Sequence, residues 1–199
     1  MMTPERRSDS AGFWYLVGSD IDAALHYAAG FYEARKVSLA RRLSVLFMPG
    51  LLCCVIYRLA HRLWQHGWRR CALLLSRGNY VLHKAAIAPS CSIGAGMYLP
   101  HTVGVIFQAH AGRGLTLYTN CQVVPQRFTD PFGAVPDDAP RLGDEVTIGA
   151  YAVVCGPLCV GDGARVGPAV ALGSGLPRQM TAVSRLRMRA MAAAGPLSS

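Results

Sequence analysis

The sequence predicts a parallel β-helix of hexapeptide repeats behind an N-terminal α-helical cap, and three observations carry that expectation. The first is a six-residue period of aliphatic residues: Ile87, Ile93, Leu99, Val105, Ala111, Leu117 and Val123, then, after a break, Leu142, Ile148, Val154, Val160, Val166 and Leu172. The second is a companion row four residues further on, small or apolar from Cys91 and Met97 through Val170 and Leu176, interrupted by Arg127. The third is a Gly directly after the aliphatic at Gly94, Gly143, Gly149, Gly161, Gly167 and Gly173. A period of six fits neither one helix nor a simple alternating strand. It fits short strands joined by turns, with three hexads closing a triangular coil. The aliphatic then points into the prism, and Gly takes the corner where a Cβ would clash or φ must be unusual. Stacked coils bury one continuous core, here about four of them.

Each element follows in order. Ser19-Asp20-Ile21-Asp22 offers capping residues for a helix reaching Arg35, and Ser38 for a second that ends before Pro49-Gly50. A third helix is expected from Leu51 to Gln65, with Leu52, Ile56, Leu59 and Leu63 on one apolar stripe and Arg58, Arg62 and Gln65 elsewhere. Gly67 breaks the chain, and a fourth helix runs from Trp68 to His83, with Trp64 and Trp68 expected as packing anchors against the coil. This helical region covers residues 1–84, the β-helix 85–177 with a loop at 124–141, and a basic tail 178–199. The apolar run from Leu43 to Ile56 is short and split by Pro-Gly, which argues against a transmembrane helix.

At 199 residues the chain is one domain, or a cap plus a β-helix, long enough for a sizeable core. Its net charge of +9 is uneven: residues 1–84 hold twelve Lys and Arg against five acids, and residues 85–199 hold eight against six. Two readings of the basic cap stay open, solvated helix faces or peripheral contact with an anionic membrane surface. Nucleic acid is not an expected partner, because neither clustered stacking aromatics nor a known module is present. The seven Cys lie in apolar runs or at hexad positions, with no CxxC pair or His cluster for a metal and no signal peptide. They read as buried reduced thiols of a cytoplasmic protein.

The segment Met48-Pro49-Gly50, Tyr57-Arg58-Leu59-Ala60-His61-Arg62-Leu63-Trp64 and Gly67, followed by Ile87-Ala88-Pro89, Ser92-Ile93-Gly94-Ala95-Gly96 and Leu99-Pro100-His101-Thr102-Val103-Gly104, resembles the serine acetyltransferase family. The tract from Leu142 to Ala152 is especially similar, and the likeness extends to the wider hexapeptide acyltransferases. That resemblance implies a left-handed β-helix, a homotrimer, and acetyl-CoA as co-substrate between neighbouring coils, with no bound cofactor. Hexad spacing fixes neither the hand nor the trimer. The implied reaction is acetyl transfer from a thioester to a hydroxyl, with a neutral His taking the hydroxyl proton and nearby donors holding the oxyanion. His101 matches the family's catalytic His by its place in the Leu-x-His-x-x-Gly hexad. Gly149 and Ala150 in the late hexads, and Arg178, Arg185 and Arg187 after the last one, are the candidates for acetyl-CoA.

Departures from the family are as informative. The family's Asp that orients the catalytic His is Ala86 here, and the Asp directly before that His is Pro100. The loop end that supplies a carboxylate-binding Arg and a second His reads Asp137-Asp138-Ala139-Pro140. Losing these partners removes several charge-assisted hydrogen bonds to a zwitterion, each worth about 1.5–3 kcal/mol. The loop has two readings, a proline-stiffened insertion against a neighbouring subunit or a reshaped acceptor pocket. In the second, Arg127, Phe128, Asp130 and Asp138 bind the acceptor, Phe132 adds a stacking surface, and an Asp of the loop replaces the missing orienter of His101. The expected function is O-acetyl transfer to a glycan or specialised metabolite. Serine acetylation, and a catalytically degenerate trimeric scaffold or partner subunit, are the alternatives.

Overall fold

The structure, a computed structural model, describes residues 12–30, 47–128 and 130–183, with backbone alone at 28–30. Among the described residues three helices precede the coils: α1 (Phe13–Gly30), α2 (Pro49–Gln65) and α3 (Arg69–His83). Twelve short strands follow, β1 (Ala86–Ile87), β2 (Ile106–Phe107), β3 (His110–Ala111), β4 (Thr116–Leu117), β5 (Gln122–Val124), β6 (Arg141–Leu142), β7 (Thr147–Ile148), β8 (Val153–Cys155), β9 (Cys159–Val160), β10 (Arg165–Val166), β11 (Ala171–Leu172) and β12 (Thr181–Ala182). They stack in parallel as three sheets, the faces of a triangular prism. The first face is β1-β2-β5-β8-β11, the second β3-β6-β9, and the third β4-β7-β10-β12. Bridges from Ile93 to Ala111 and from Tyr98 to Thr116 complete the first coil on the other two faces.

The inward row is buried as the hexads require, with Ile93, Leu117, Val123, Ile148, Val154 and Val166 at 1% exposure or less. Burying each such side chain contributes about 1.5–3 kcal/mol. Two departures correct the register. Phe107, not Val105, stands in line with Ile87 and Val123, because the corner after Leu99 is two residues longer than a hexad allows and the next corner shorter by as many. The corner after Leu172 is also shortened, so Leu176 aligns with Val160 and Ala182 with Val166. The ladder therefore runs on to Ala182, beyond residue 177, and makes five rungs on the first face.

The helices depart further from the sequence expectation. Ser19 and Asp20 sit inside α1 rather than at its start. The Ser19 hydroxyl donates back to the Tyr15 and Leu16 carbonyls, at 3.0 and 2.9 Å, and Asp20 is fully buried. The helix expected to start at Ser38 lies outside the described residues. Pro49 opens α2 at the first helical position, where its missing N–H costs nothing. Gly50 is required there, since a Cβ would collide with the Leu99 carbonyl.

The apolar stripe of α2 lies partly on its outer side: Leu52 and Leu59 are 40% and 43% exposed. The inner face carries Cys54, Tyr57, Arg58 and His61 instead. These four reach the first coil, whose outward carbonyls have no preceding coil to bond. Tyr57 donates to the Cys91 carbonyl (2.7 Å), Arg58 to those of Ile93 and Gly94, and the Cys54 thiol to that of Met97 (3.9 Å). His61 Nδ1 donates to the Pro89 carbonyl at 2.9 Å. Arg58 also forms a forked pair with Asp20, at 2.9 and 3.0 Å, and Asp20 accepts the Met97 N–H at 2.8 Å. Burial pushes the Asp20 carboxyl above the ordinary carboxylate range, opposed by the charge and hydrogen bonds of Arg58 and by the Met97 amide.

Trp68 is 64% exposed and caps α3, so it does not anchor the helices to the coil, while Trp64 is half-buried beneath the Arg69 guanidinium. The thiols divide: Cys53, Cys54, Cys91 and Cys121 are buried, Cys155 is half-buried, and Cys71 and Cys159 are exposed. Burial pushes the thiols of Cys53, Cys91 and Cys121 up to about 12, so they stay protonated and unreactive.

Removing Asp20 alone strands a buried guanidinium. Asp20→Ala is expected to cost about 3–5 kcal/mol in denaturant unfolding, and the double variant Asp20→Ala, Arg58→Met less than either single change implies. Val160→Asp puts an unpaired charge at a site 2% exposed and should melt the late coils, read by far-UV circular dichroism.

Candidate active site

A prism displays its chemistry at its edges, and three edges here carry three different groups of residues. The third edge joins the third face to the first and holds the corners 100–105, 118–121, 149–152 and 167–170. His101 stands exposed on the first of these, between half-buried Pro100 and buried Thr102. The backbone around it is tied down on both sides. Gly104, at φ +73, donates its N–H to the Lys84 carbonyl at 2.9 Å, and the Val103 carbonyl accepts from the Asn120 N–H and the Thr119 hydroxyl, at 2.8 and 2.9 Å. The imidazole therefore projects from a rigid corner. Among the described residues none hydrogen-bonds its ring.

Ala86 is adjacent: it pairs with Ile106, donates its N–H to the Val105 carbonyl at 2.8 Å, and is 1% exposed. Gly149 and Ala150 lie on the same third edge two coils on, about 10 Å along the axis. Gly149 is a packing glycine. Its N–H donates to the Val166 carbonyl at 2.7 Å, and a Cβ would lie 2.7 Å from the Pro168 nitrogen. The Ala150 carbonyl accepts from the Ala169 N–H at 2.9 Å.

The long loop occupies the first edge, between β5 and β6, and turns back along its own coils. Ser90 donates to the Gly133 carbonyl and accepts from the Val135 N–H, both at 3.0 Å. Gln108 is 4% exposed, and its amide donates to the carbonyls of Asp130, Gly133 and Ala134 at 3.2–3.4 Å. Phe132 is 9% exposed and meets Tyr80 of α3 edge-to-face at 6.0 Å, so it is a packing residue and not an acceptor surface. Asp130 turns its carboxylate onto the Phe132 N–H at 3.0 Å. Arg127 and Phe128 are exposed, and Asp138 is half-buried. Within one chain the loop and His101 thus stand on different edges, and no Asp of the loop steadies the imidazole.

The second edge holds the remaining candidate. Arg178 is ion-paired to Asp162 at 2.7 Å there, away from Gly149 and Ala150; Arg185 and Arg187 lie outside the described residues. A groove of about 780 Å³ also follows this edge, between α1 and the coil corners, lined by Ser19, Asp22, His26, Tyr27, Arg113 and Glu145. None of the candidate residues lines it.

Comparison with known proteins places the chain in a family. No family model matches the chain. It is 33% identical over 141 residues to a serine acetyltransferase of Helicobacter pylori, covering 70% of this chain and 80% of that protein. The chain belongs to the serine acetyltransferase family. A second relative, the serine acetyltransferase of Mycobacterium tuberculosis, is 34% identical over 129 residues, 63% of this chain and 54% of that protein, so the chain spans about half of that relative's length. Among solved structures the soybean serine acetyltransferase apoenzyme aligns with a TM-score of 0.73 at 26% identity, over 89% of this chain and 69% of that one. The fold of this serine acetyltransferase relative is the left-handed parallel β-helix with an N-terminal helical cap.

Ser90 and Gln108 hold residues 130–135 of the loop, and hexad reading passes over both. Their signal is faint: two polar residues at coil corners, one after Pro89 and one beside the inward Phe107. Gln108→Leu is expected to release residues 130–135 to limited proteolysis several-fold faster while leaving the thermal midpoint nearly unchanged, because the donors serve the loop and not the prism.

Proposed function

We propose that this chain transfers an acetyl group from acetyl-CoA to an acceptor hydroxyl, with His101 as the general base. The observation that carries the reading is an exposed imidazole on a backbone-locked corner, at the hexad position of the catalytic His in the family to which the chain belongs. An alcohol is a poor nucleophile at neutral pH. Nε2 or Nδ1 of neutral His101 takes the hydroxyl proton while the oxygen attacks the thioester carbonyl, and the imidazolium then returns that proton to the departing CoA thiolate. Backbone N–H groups beside the corner hold the oxyanion. The third edge supports acetyl-CoA lying along the coils past Gly149 and Ala150.

A homotrimer belongs to the same proposal. In one chain the loop is on the first edge and His101 on the third. A three-fold arrangement sets the first edge of one copy against the third edge of its neighbour, and Arg127, Phe128 and Asp138 then face an acceptor bound at the neighbour's His101.

Serine is the acceptor that family membership supports. A different hydroxyl, on a glycan or a specialised metabolite, is the second reading, favoured by one set of positions: Ala86, Pro100, Asp138 and Ala139 in place of the family's Asp, Asp, Arg and His. Ala86 is buried, so the missing carboxylate is replaced by packed methyl and not by water.

Free-thiol release from acetyl-CoA separates these readings. Serine turnover at kcat/KM on the order of 10⁴ M⁻¹s⁻¹ or more establishes serine; release with a sugar or pathway intermediate but not with serine establishes the second reading; release with no acceptor refutes both. His101→Ala is expected to lower kcat by about 100-fold or more with acetyl-CoA affinity retained, and unchanged turnover would move the base to another residue.

A further inference from the structure

We propose that the outer face of α3 docks on a bilayer surface rich in anionic lipid headgroups. The helix has two sharply different sides. Ala72, Ser76 and Asn79 are buried against α2, where Asn79 donates to the Cys53 carbonyl at 3.0 Å. On the opposite side Arg70, Leu74, Arg77 and Val81 follow one another by four, three and four residues, which places them on a single stripe along a helix about 22 Å long. All four are exposed, and the aliphatics strongly so: Leu74 70%, Val81 64% and the neighbouring Leu82 71%. Trp68, 64% exposed, begins the helix beside Arg69, and exposed Lys84 ends it.

The charge carried by α2 and α3 has one sign. From Phe47 to Phe128 the sequence contains no Asp or Glu, so Arg62, Arg69, Arg70, Arg77 and Lys84 meet no carboxylate of α2 or α3. A face built only for water carries interspersed charges of both signs. Cations interleaved with large aliphatics and a Trp suit an interface where the apolar side chains enter the headgroup boundary while guanidinium and ammonium groups meet lipid phosphates. A nucleic acid offers the same charge but nothing apolar for Leu74, Val81 and Leu82, which favours lipid. The contact is peripheral, because no helix among the described residues is long and apolar enough to cross a membrane.

Co-sedimentation of the intact chain with vesicles tests this without reference to acetyl transfer. Phosphatidylcholine vesicles are compared with vesicles that also contain phosphatidylserine, at low and raised salt. Binding is expected only to the anionic vesicles and should weaken as salt rises. Each neutralised arginine costs about 5-fold, so Arg70→Gln with Arg77→Gln should lower affinity on the order of 25-fold. Leu74→Ser with Leu82→Ser should weaken binding while preserving its salt dependence. These positions are exposed, and circular dichroism confirms the fold of each variant. No binding by the unmodified chain, equal binding to both vesicles, or indifference to the arginine changes overturns the proposal. A smaller assembly in light scattering for the Leu74→Ser, Leu82→Ser variant also overturns it, because the face is then an interface between copies.

Discussion

The structure depends on how the first coil of the prism is closed. Each coil satisfies half of its outward backbone groups through the coil before it, and the first has none before it. Its carbonyls at Pro89, Cys91, Ile93, Gly94 and Met97 would form an open sheet edge, costly if buried and a template for wrong pairing if exposed. Apolar packing cannot solve this, because carbonyls need donors. The cap supplies them from His61, Tyr57, Arg58 and Cys54, and Asp20 takes up the remaining Met97 N–H and the Arg58 charge. The Arg58 guanidinium thereby reaches one carboxylate and two carbonyls, a use of its planar fork that Lys could not reproduce. Burying these charges is tolerable only because each has its partner in place.

Rigidity at that end has consequences along the whole prism. The corner carrying His101 leaves the first coil and stacks on the corner of the second, so the backbone that bears the imidazole is held by ladder hydrogen bonds and not by a loop of its own. The same geometry keeps the functional groups apart. Edges of a prism run parallel to its axis and stand on different sides of it, so within one chain the loop lies on the first edge and His101 on the third. Loop shape is also set by the coils: Ser90 and Gln108 fix residues 130–135, and Tyr80 of α3 meets Phe132. Changes in the long loop are therefore constrained by the cap as well as by the coils.

Much of this was legible in the sequence, and the limits have physical causes. Inward positions repeat because a core with one cross-section admits one kind of residue per rung, so a linear period reports them directly. Corner length is different. Val105 and Phe107 are both buried and both apolar, so the two-residue shift between Leu99 and Phe107 leaves no mark on the hydrophobic pattern. The buried face of α2 is hidden for the same reason in reverse: its inner side is chosen for donors, and the apolar Leu52 and Leu59 lie largely outside it.

The sequence by itself determined the repeat, the position of the long loop, the corner that presents His101, and the absence of the carboxylate at Ala86. Those features are local or strictly periodic, and a one-dimensional string preserves them. Only the tertiary structure decided that Arg58 and His61 point inward, that Asp20 caps a coil and not a helix, that Phe132 packs while Phe128 stays exposed, and that Arg178 pairs with Asp162 away from Gly149 and Ala150. Each of these depends on which groups meet across tens of residues, where the need of a buried carbonyl or charge for a partner outweighs the preference of any side chain taken alone.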